Sequence, residues 1–456
     1  MNMETGKRID VVSVIDGAPL SAFQWRVFAL LFIIIMLDGY DTQAIAFVAP
    51  AISKAWHLAP SAFGPIFSAG LLGTVIGAVG FGMLADRIGR RMLVIGAVAL
   101  FGLLTGACAF ATGYDELLIC RLGAGVGLGG ALVNFLALAS EYAPARSRTT
   151  IVTISMWGFP LGAVIGGSFA GRMIEYQGWT SIFYLGAVLP LLCVPVLLIL
   201  LPESVRYMTY VSGKRAAMAH ILSKIDGVNT FRAGDDFYLI EPRATRGSVR
   251  ELFANGLGRG TVLLWITLFA SLVLTYCLIN WIPSLLRQAG LPIKDAVLGT
   301  VMINFAGIVG SLAVSRAMKR RPLRVLTLAY LLGAVSVASI SFAEHNVVLI
   351  MISIFLTGFF IIGAQLAVTA FITGYYPTSI RGTGVGWSQG VGRFGSLLGP
   401  LAGGAVIAVS AQPSHVFLFC AIPALVACAA LFGLGRTMHP SSNESAHELQ
   451  VAPPRH

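Results

Sequence analysis

Apolar runs long enough to cross a hydrocarbon core recur about twelve times between Trp25 and Leu434, separated by short polar stretches. A helix needs about 20 residues for that crossing, and in lipid every backbone N–H and C=O must find its partner inside the protein. A chain with this pattern is expected to form a bundle of transmembrane helices, at approximately 24–51, 62–84, 92–112, 116–140, 150–171, 180–201, 261–286, 294–315, 323–343, 346–374, 382–408 and 415–435.

Composition supports this where it bears on packing and topology. The 456 residues are 56% hydrophobic and only 11% charged, with a mean hydropathy of +0.82, well above a water-soluble domain. Fifty-two glycines and 20 prolines let membrane helices approach closely and bend. The net charge of +11 gathers on one set of loops, including Lys7, Arg8, Arg87, Arg90, Arg91, Arg146, Arg148, much of 202–260, Arg316, Lys319, Arg320, Arg321, Arg324, Arg381 and Arg436. The positive-inside rule makes that side cytoplasmic, with both termini inside, and basicity then needs no nucleic acid partner. The polar stretch 1–23 lacks the apolar core and cleavage site of a signal peptide, so the first helix is expected to serve as the targeting signal. Six cysteines lie in apolar spans without metal-ligand spacing and read as packing residues. No metal or other cofactor is expected.

Two halves become visible when "YAPARSRTT" (142–150) is laid beside "YYPTSIRGT" (375–383). Both read Tyr-x-Pro-x-x-x-Arg, about 233 residues apart, and the same offset places "RIGRR" (87–91) near "RAMKRR" (316–321) and Gly162 and Gly166 over Gly395 and Gly399. Such an internal repeat predicts six spans duplicated. The expected organisation is a cytoplasmic tail (1–23), a first six-helix half (24–201), a polar cytoplasmic loop (202–260), a second half (261–435) and a cytoplasmic tail (436–456). Within the loop, "SGKRAAMAHILSKI" has a helical pattern.

"GMLADRIGRR" (82–91) resembles the loop signature of the major facilitator superfamily, matching it at Gly82, Asp86, Arg87, Gly89, Arg90 and Arg91. "RLGAGVGLGG" (121–130) is similar to that superfamily's span-four motif and "LPESVRY" (201–207) to its motif after span six. Within the superfamily, "LDGYD" (37–41), "GLGGALVN" (127–134), "NWIPSLL" (280–286), "GAQ" (363–365) and "GWSQGVGRFGSLLGP" (386–400) resemble the aromatic acid:proton symporter family. The resemblance implies an all-α integral membrane protein with twelve transmembrane helices in two pseudo-symmetric halves. The loop of the second half carries no acidic residue corresponding to Asp86, so any gating by charge is expected to differ between halves.

Charged residues inside the spans are expensive and mark function. Asp38 and Asp41 sit near the middle of span one, one turn apart. Desolvation and mutual repulsion favour one of them holding a proton, which makes a reversible proton site, and Gly39 between them would allow a local helix break. A structural carboxylate pair bonded to backbone or arginine is the alternative. Arg393, near the middle of span eleven, stays charged and calls for an anion; its planar fork suits a substrate carboxylate or direct coupling, with a structural ion pair as the alternative. Arg121 opens span four, either snorkelling to the interface or, as the superfamily motif implies, taking part in coupling. Asn134, Trp157, Tyr276, Asn280, Gln365, Trp387 and Gln389 are the pocket candidates, together with Gln43 and Asn304, offering rings for an arene and amides for a phenol or carboxylate. Asp86, Arg87, Gly89, Arg90 and Arg91 are expected to act as a conformational latch. The histidines lie at span ends, loops and tails and are not proton carriers in this reading.

No catalytic constellation and no phosphate-cradling glycine loop is present, so an enzyme or an ATP-driven pump is not expected. The expectation is a proton-coupled importer of small aromatic carboxylates, working as a monomer in a bacterial-type inner membrane. Import of a dicarboxylate is the nearest alternative, and a membrane sensor of such acids is a further one.

Overall fold

The computed structural model describes residues 7–211, 213–239, 249–254, 256–343, 346–377, 379–410 and 412–437. The side chain of Asp86, expected in the latch, and most of the C-terminal tail lie outside the described residues. Twelve described helices are long and apolar enough to cross a membrane: Ala22–Ala55, Pro60–Ala85, Arg90–Cys108, Tyr114–Tyr142, Arg148–Gln177 and Thr180–Leu200 (spans one to six), then Gly258–Gln288, Ile293–Ala317, Pro322–Ile340, Val347–Tyr375, Arg381–Val409 and Ser414–Thr437 (spans seven to twelve). The chain is an all-α membrane protein, and the helix ends fall within a few residues of those expected from hydropathy alone.

The chain divides into two compact units. One holds residues 1–243 with 279–304, the other residues 244–278 with 305–456. The boundaries therefore fall within spans seven and eight.

In the first unit, span one starts at a capping box written into the sequence as Ser21-x-x-Gln24. Gln24 N–H donates to Ser21 Oγ at 3.3 Å and Ser21 N–H to Gln24 Oε1 at 2.9 Å. Glycines set the distance between helices. A Cβ on Gly77 of span two would lie 1.9 Å from the Val126 carbonyl oxygen of span four, and one on Gly162 of span five 1.8 Å from that of Met36 in span one. No side chain fits there.

Span one runs unbroken through Gly39. The expected helix break is absent, because this glycine serves close approach instead: a Cβ there would meet the Phe159 carbonyl oxygen at 1.9 Å. The interruption lies in span five, where Arg148–Met156 stops and Gly158–Gln177 restarts after Trp157. Pro160 accounts for it, since a proline has no N–H to offer the carbonyl four residues back, that of Met156, and its ring crowds it.

On the loop side of this unit a short strand β1 (Arg8–Asp10) pairs in parallel with β2 (Asp236–Tyr238). Helices Val11–Gly17, Val205–Tyr210 and Arg215–Asp226 pack beneath, burying Val11, Ile15, Met208, Met218, Leu222 and Ile225. The last of them covers the segment whose helical pattern is visible in the sequence.

The second unit repeats the seam of the first. A Cβ on Gly395 of span eleven would lie 2.4 Å from the Phe269 carbonyl oxygen of span seven, related to Gly162 and Met36 by one offset (162 to 395, 36 to 269). The arginine after each Tyr-x-Pro behaves likewise: Arg148 Nε donates to Ala143 O at 3.3 Å and Arg381 Nε to Tyr376 O at 3.4 Å. Span ten contains a π-helical turn, Gly358–Ile362, against which span eight packs through Gly310. One extra residue in a turn rotates everything after it, Gln365 included.

Candidate substrate and proton site

In the first unit the middle of span one carries a buried ion pair. Arg121 Nη1 lies 3.2 Å from Asp41 Oδ2, and Nη2 donates to the Asp41 carbonyl oxygen at 3.1 Å. Thr105 Oγ1 of span three completes the carboxylate, donating to Oδ1 at 2.6 Å. Asp41 is 0% and Arg121 2% exposed, so the arginine turns inward to a carboxylate and does not snorkel. Its Nε has no hydrogen-bond partner among the described residues. A pair this deep is costly to desolvate and more costly to break, about 3–5 kcal/mol for removal of one partner.

One turn earlier, buried Asp38 accepts from Thr42 Oγ1 at 3.1 Å. Two residues after Asp41, Gln43 turns elsewhere. Its Nε2 donates to Asn304 Oδ1 at 3.2 Å and its Oε1 accepts from Asn304 Nδ2 at 2.9 Å, a reciprocal amide pair joining span one to the middle of span eight. Trp157 is half-buried at the interruption of span five, beside Gly158, which lies against the Phe32 carbonyl of span one. Asn280 is buried in the same unit. Asn134 is not gathered around Arg121: it lies further along span four, from position 121 to position 134, about 20 Å at the helical rise. Its Nδ2 donates to Gly130 O at 2.9 Å, and its Oδ1 is buried without a hydrogen-bond partner among the described residues.

In the second unit, Arg393 is half-buried near the middle of span eleven. Its side chain makes no ion pair or hydrogen bond among the described residues, and the spans of this unit contain no Asp or Glu. On the same helix, Gly382, Thr383, Gly386, Trp387 and Gly390, mostly exposed, border an open surface groove of about 570 Å³. The spacing of 386, 390 and 393 puts Arg393 on the glycine face. Trp387 stacks on Trp265 with centroids 6.0 Å apart, Phe253 meets Trp265 edge-on at 5.7 Å, and Trp265 Nε1 has no hydrogen-bond partner among the described residues. Gln389 Nε2 donates to Thr369 Oγ1 at 3.4 Å, and Thr369 bonds back to the Gln365 carbonyl. Gln365 is half-buried, as is Tyr276.

The latch residues are tied to two glutamates that the sequence reading did not single out. Arg90 Nε lies 3.2 Å from Glu141 Oε1, and Arg91 N–H donates to Glu203 Oε1 at 3.0 Å. Arg91 also reaches the Leu198 carbonyl, and Tyr207 OH donates to Arg87 O at 3.3 Å. Gly89 has φ 93°, a backbone conformation that favours glycine, and a Cβ there would crowd the Glu203 carboxylate at 2.5 Å. Glu203 belongs to the "LPESVRY" segment, so two motifs far apart in sequence form one cluster.

A bundle of twelve spans with glycine-built seams, repeated at one offset and carrying buried charge, has the architecture of a membrane transporter. The sequence profile described as Major Facilitator Superfamily matches residues 31–364 and 314–456. The chain belongs to the major facilitator superfamily. Among known members it is 39% identical to the gallate transporter of Pseudomonas putida, over 94% of this chain and 95% of that protein. It is 37% identical to the 4-hydroxybenzoate transporter PcaK of the same organism, over 95% and 97%, and 30% identical to the benzoate transport protein of Acinetobacter baylyi, over 93% and 92%. Within this superfamily the sequence thus groups with transporters named for aromatic acids. Its fold matches a bacterial homologue of the lysosomal transporter Spinster (TM-score 0.71, 16% identity, 91% of this chain and 98% of that one) and the xylose transporter XylE from E. coli (TM-score 0.69, 15% identity, 91% and 98%). This major facilitator protein is a transporter, not an enzyme.

Proposed function

We propose that this protein imports small aromatic carboxylates together with protons by alternating access. The observation that carries the reading is Arg393, a permanent cation in mid-span with no anion of its own among the described residues. A guanidinium in that position is stabilised by a carboxylate gripped at two nitrogens, which a substrate can provide. The aromatic class rests on the relatives, named for gallate, 4-hydroxybenzoate and benzoate. Trp387, Trp157 and Tyr276 supply ring faces, and Asn280, Gln365 and Gln389 supply amides for ring substituents, with Asn134 further along span four.

Asp41 is assigned the proton. Protonation cancels its attraction for Arg121 and leaves the Thr105 bond, so span one can shift against spans three and four; loss of the proton restores the pair. Asp38 is the second acceptor. Coupling has an electrical reason as well: moving one negative charge into a negative interior costs about 2.3 kcal/mol per 100 mV, and one proton carried with it removes that cost. The two six-helix halves rock about the site, Asp86, Arg87, Gly89, Arg90 and Arg91 act as the latch, and the protein works as a monomer in the inner membrane with both termini and the 202–260 loop inside.

The test is uptake of labelled benzoate, 4-hydroxybenzoate, gallate and a dicarboxylate into proteoliposomes under an inward proton gradient, with and without a protonophore. Uphill accumulation of an aromatic acid that collapses with the protonophore is the expected result. Uptake indifferent to the gradient would remove the proton role of Asp38 and Asp41, and accumulation of the dicarboxylate alone would replace the aromatic class.

A further inference from the structure

The repeated loops between spans two and three and between spans eight and nine treat their cations differently. In the first, Arg90 and Arg91 are consumed by Glu141, Glu203 and the Leu198 carbonyl. In the second, Arg316, Lys319, Arg320, Arg321 and Arg324 are all exposed and make no hydrogen bond or ion pair among the described residues. No Asp or Glu occurs from 296 to 343 to balance them.

Their position adds a second observation. Arg316 ends an exposed stripe on span eight, Phe305, Val309 and Leu312, and Arg324 begins one on span nine, Leu328, Leu331 and Val335. The steps of three and four residues put each arginine on the same helix face as its stripe. A cation at the end of a membrane span, in line with exposed apolar side chains, matches a molecule that is anionic at one end and hydrocarbon at the other. We propose that this five-cation loop binds the headgroups of acidic phospholipids, their acyl chains lying along the two stripes. A zwitterionic lipid has the same chains but no net charge, so the loop discriminates by about fivefold for each cation engaged at the surface. The lipid tethers the ends of spans eight and nine in the way Glu141 and Glu203 tether the corresponding loop of the first unit.

The experiment uses the full chain, purified in detergent and offered equimolar phosphatidylglycerol and phosphatidylcholine, with co-purified lipid counted by mass spectrometry. The unaltered protein should retain phosphatidylglycerol by about fivefold or more at low salt and lose much of that preference at high salt, as screened charges do. A variant with Gln at all five positions should retain both lipids equally. Equal retention by the unaltered protein, or a preference that the five-site variant keeps, would overturn the proposal. Should that variant fail to fold, phosphatidylglycerol with a photoreactive headgroup decides on the unaltered chain: cross-links within 316–324 support the site, and cross-links elsewhere overturn it.

Discussion

Asp41 and Arg393 are both charged residues in mid-span, yet their surroundings predict different responses to substitution. Asp41→Asn keeps the shape and can still bond Thr105, but it leaves the Arg121 cation buried without its counterion. The expected outcome is a protein less stable by about 3–5 kcal/mol that exchanges substrate across the membrane but no longer concentrates it; full uphill accumulation at normal expression would refute the proton assignment. Arg393→Gln breaks no ion pair, so the melting temperature without ligand should stay close to that of the parent. What should vanish is stabilisation by an aromatic acid, which for a binding protein reaches about 2.7 kcal/mol at a hundred times Kd. Arg393→Lys keeps the charge without the fork and should bind more weakly than the parent. Charges of this kind are legible in a sequence because a polar letter inside an apolar run has no cheap explanation. Thr105 is not: a threonine in a membrane helix ordinarily bonds back to its own helix, and nothing in "LLTGAC" says that this one reaches Asp41. The pairing of Arg121 with Asp41, and of Gln43 with Asn304, likewise depends on which helices are neighbours.

Helices in this protein are positioned by backbone meeting backbone, and that makes glycine positions unequal. Gly162→Ala would push a methyl to 1.8 Å from the Met36 carbonyl, whereas nothing lies within 4 Å of a Cβ on Gly96. The first change should collapse expression of folded protein; the second should be tolerated and stabilise span three by up to about 1 kcal/mol, the helix preference of alanine over glycine. A thermal shift series on both checks the contrast. Span five offers a prediction of the opposite kind. Pro160→Ala supplies the N–H that Met156 O lacks, so the two pieces should fuse into one helix; stability should rise by about 1–3 kcal/mol and the transport rate should fall. A rate at or above the parent's would show that the interruption at Trp157 has no part in turnover. Twelve spans were legible from hydropathy because lipid leaves the backbone no alternative. Gly39 would allow a break, yet the helix continues through it; a glycine inside a helix reads as weakness until the neighbour that needs its missing side chain is known. The π-helical turn of span ten has no composition signature in "GFFII" at all.

At the scale of the whole molecule, spans seven and eight are the unusual elements, since each has one part in either compact unit. The Gln43–Asn304 pair binds the middle of span eight to span one within the first unit, so this part of span eight is held with span one. Gln43→Leu alone should slow uptake by about tenfold, because Asn304 is left buried with unmet bonds, while Gln43→Leu with Asn304→Leu should recover part of the loss. Kinetics of the single and double variants measure the difference. The duplication was legible from three short coincidences, and its offset reappears in the close approaches of Met36 to Gly162 and Phe269 to Gly395, of which the sequence shows only the glycines. The acidic residues of span one have no counterpart in span seven, and the cation at 393 has none at 160, which is a proline. The copies therefore share how their helices touch and differ in what those helices carry. A backbone seam binds one copy as tightly as the other, since any side chain added there separates two helices, whereas residues away from it are free to differ between the copies.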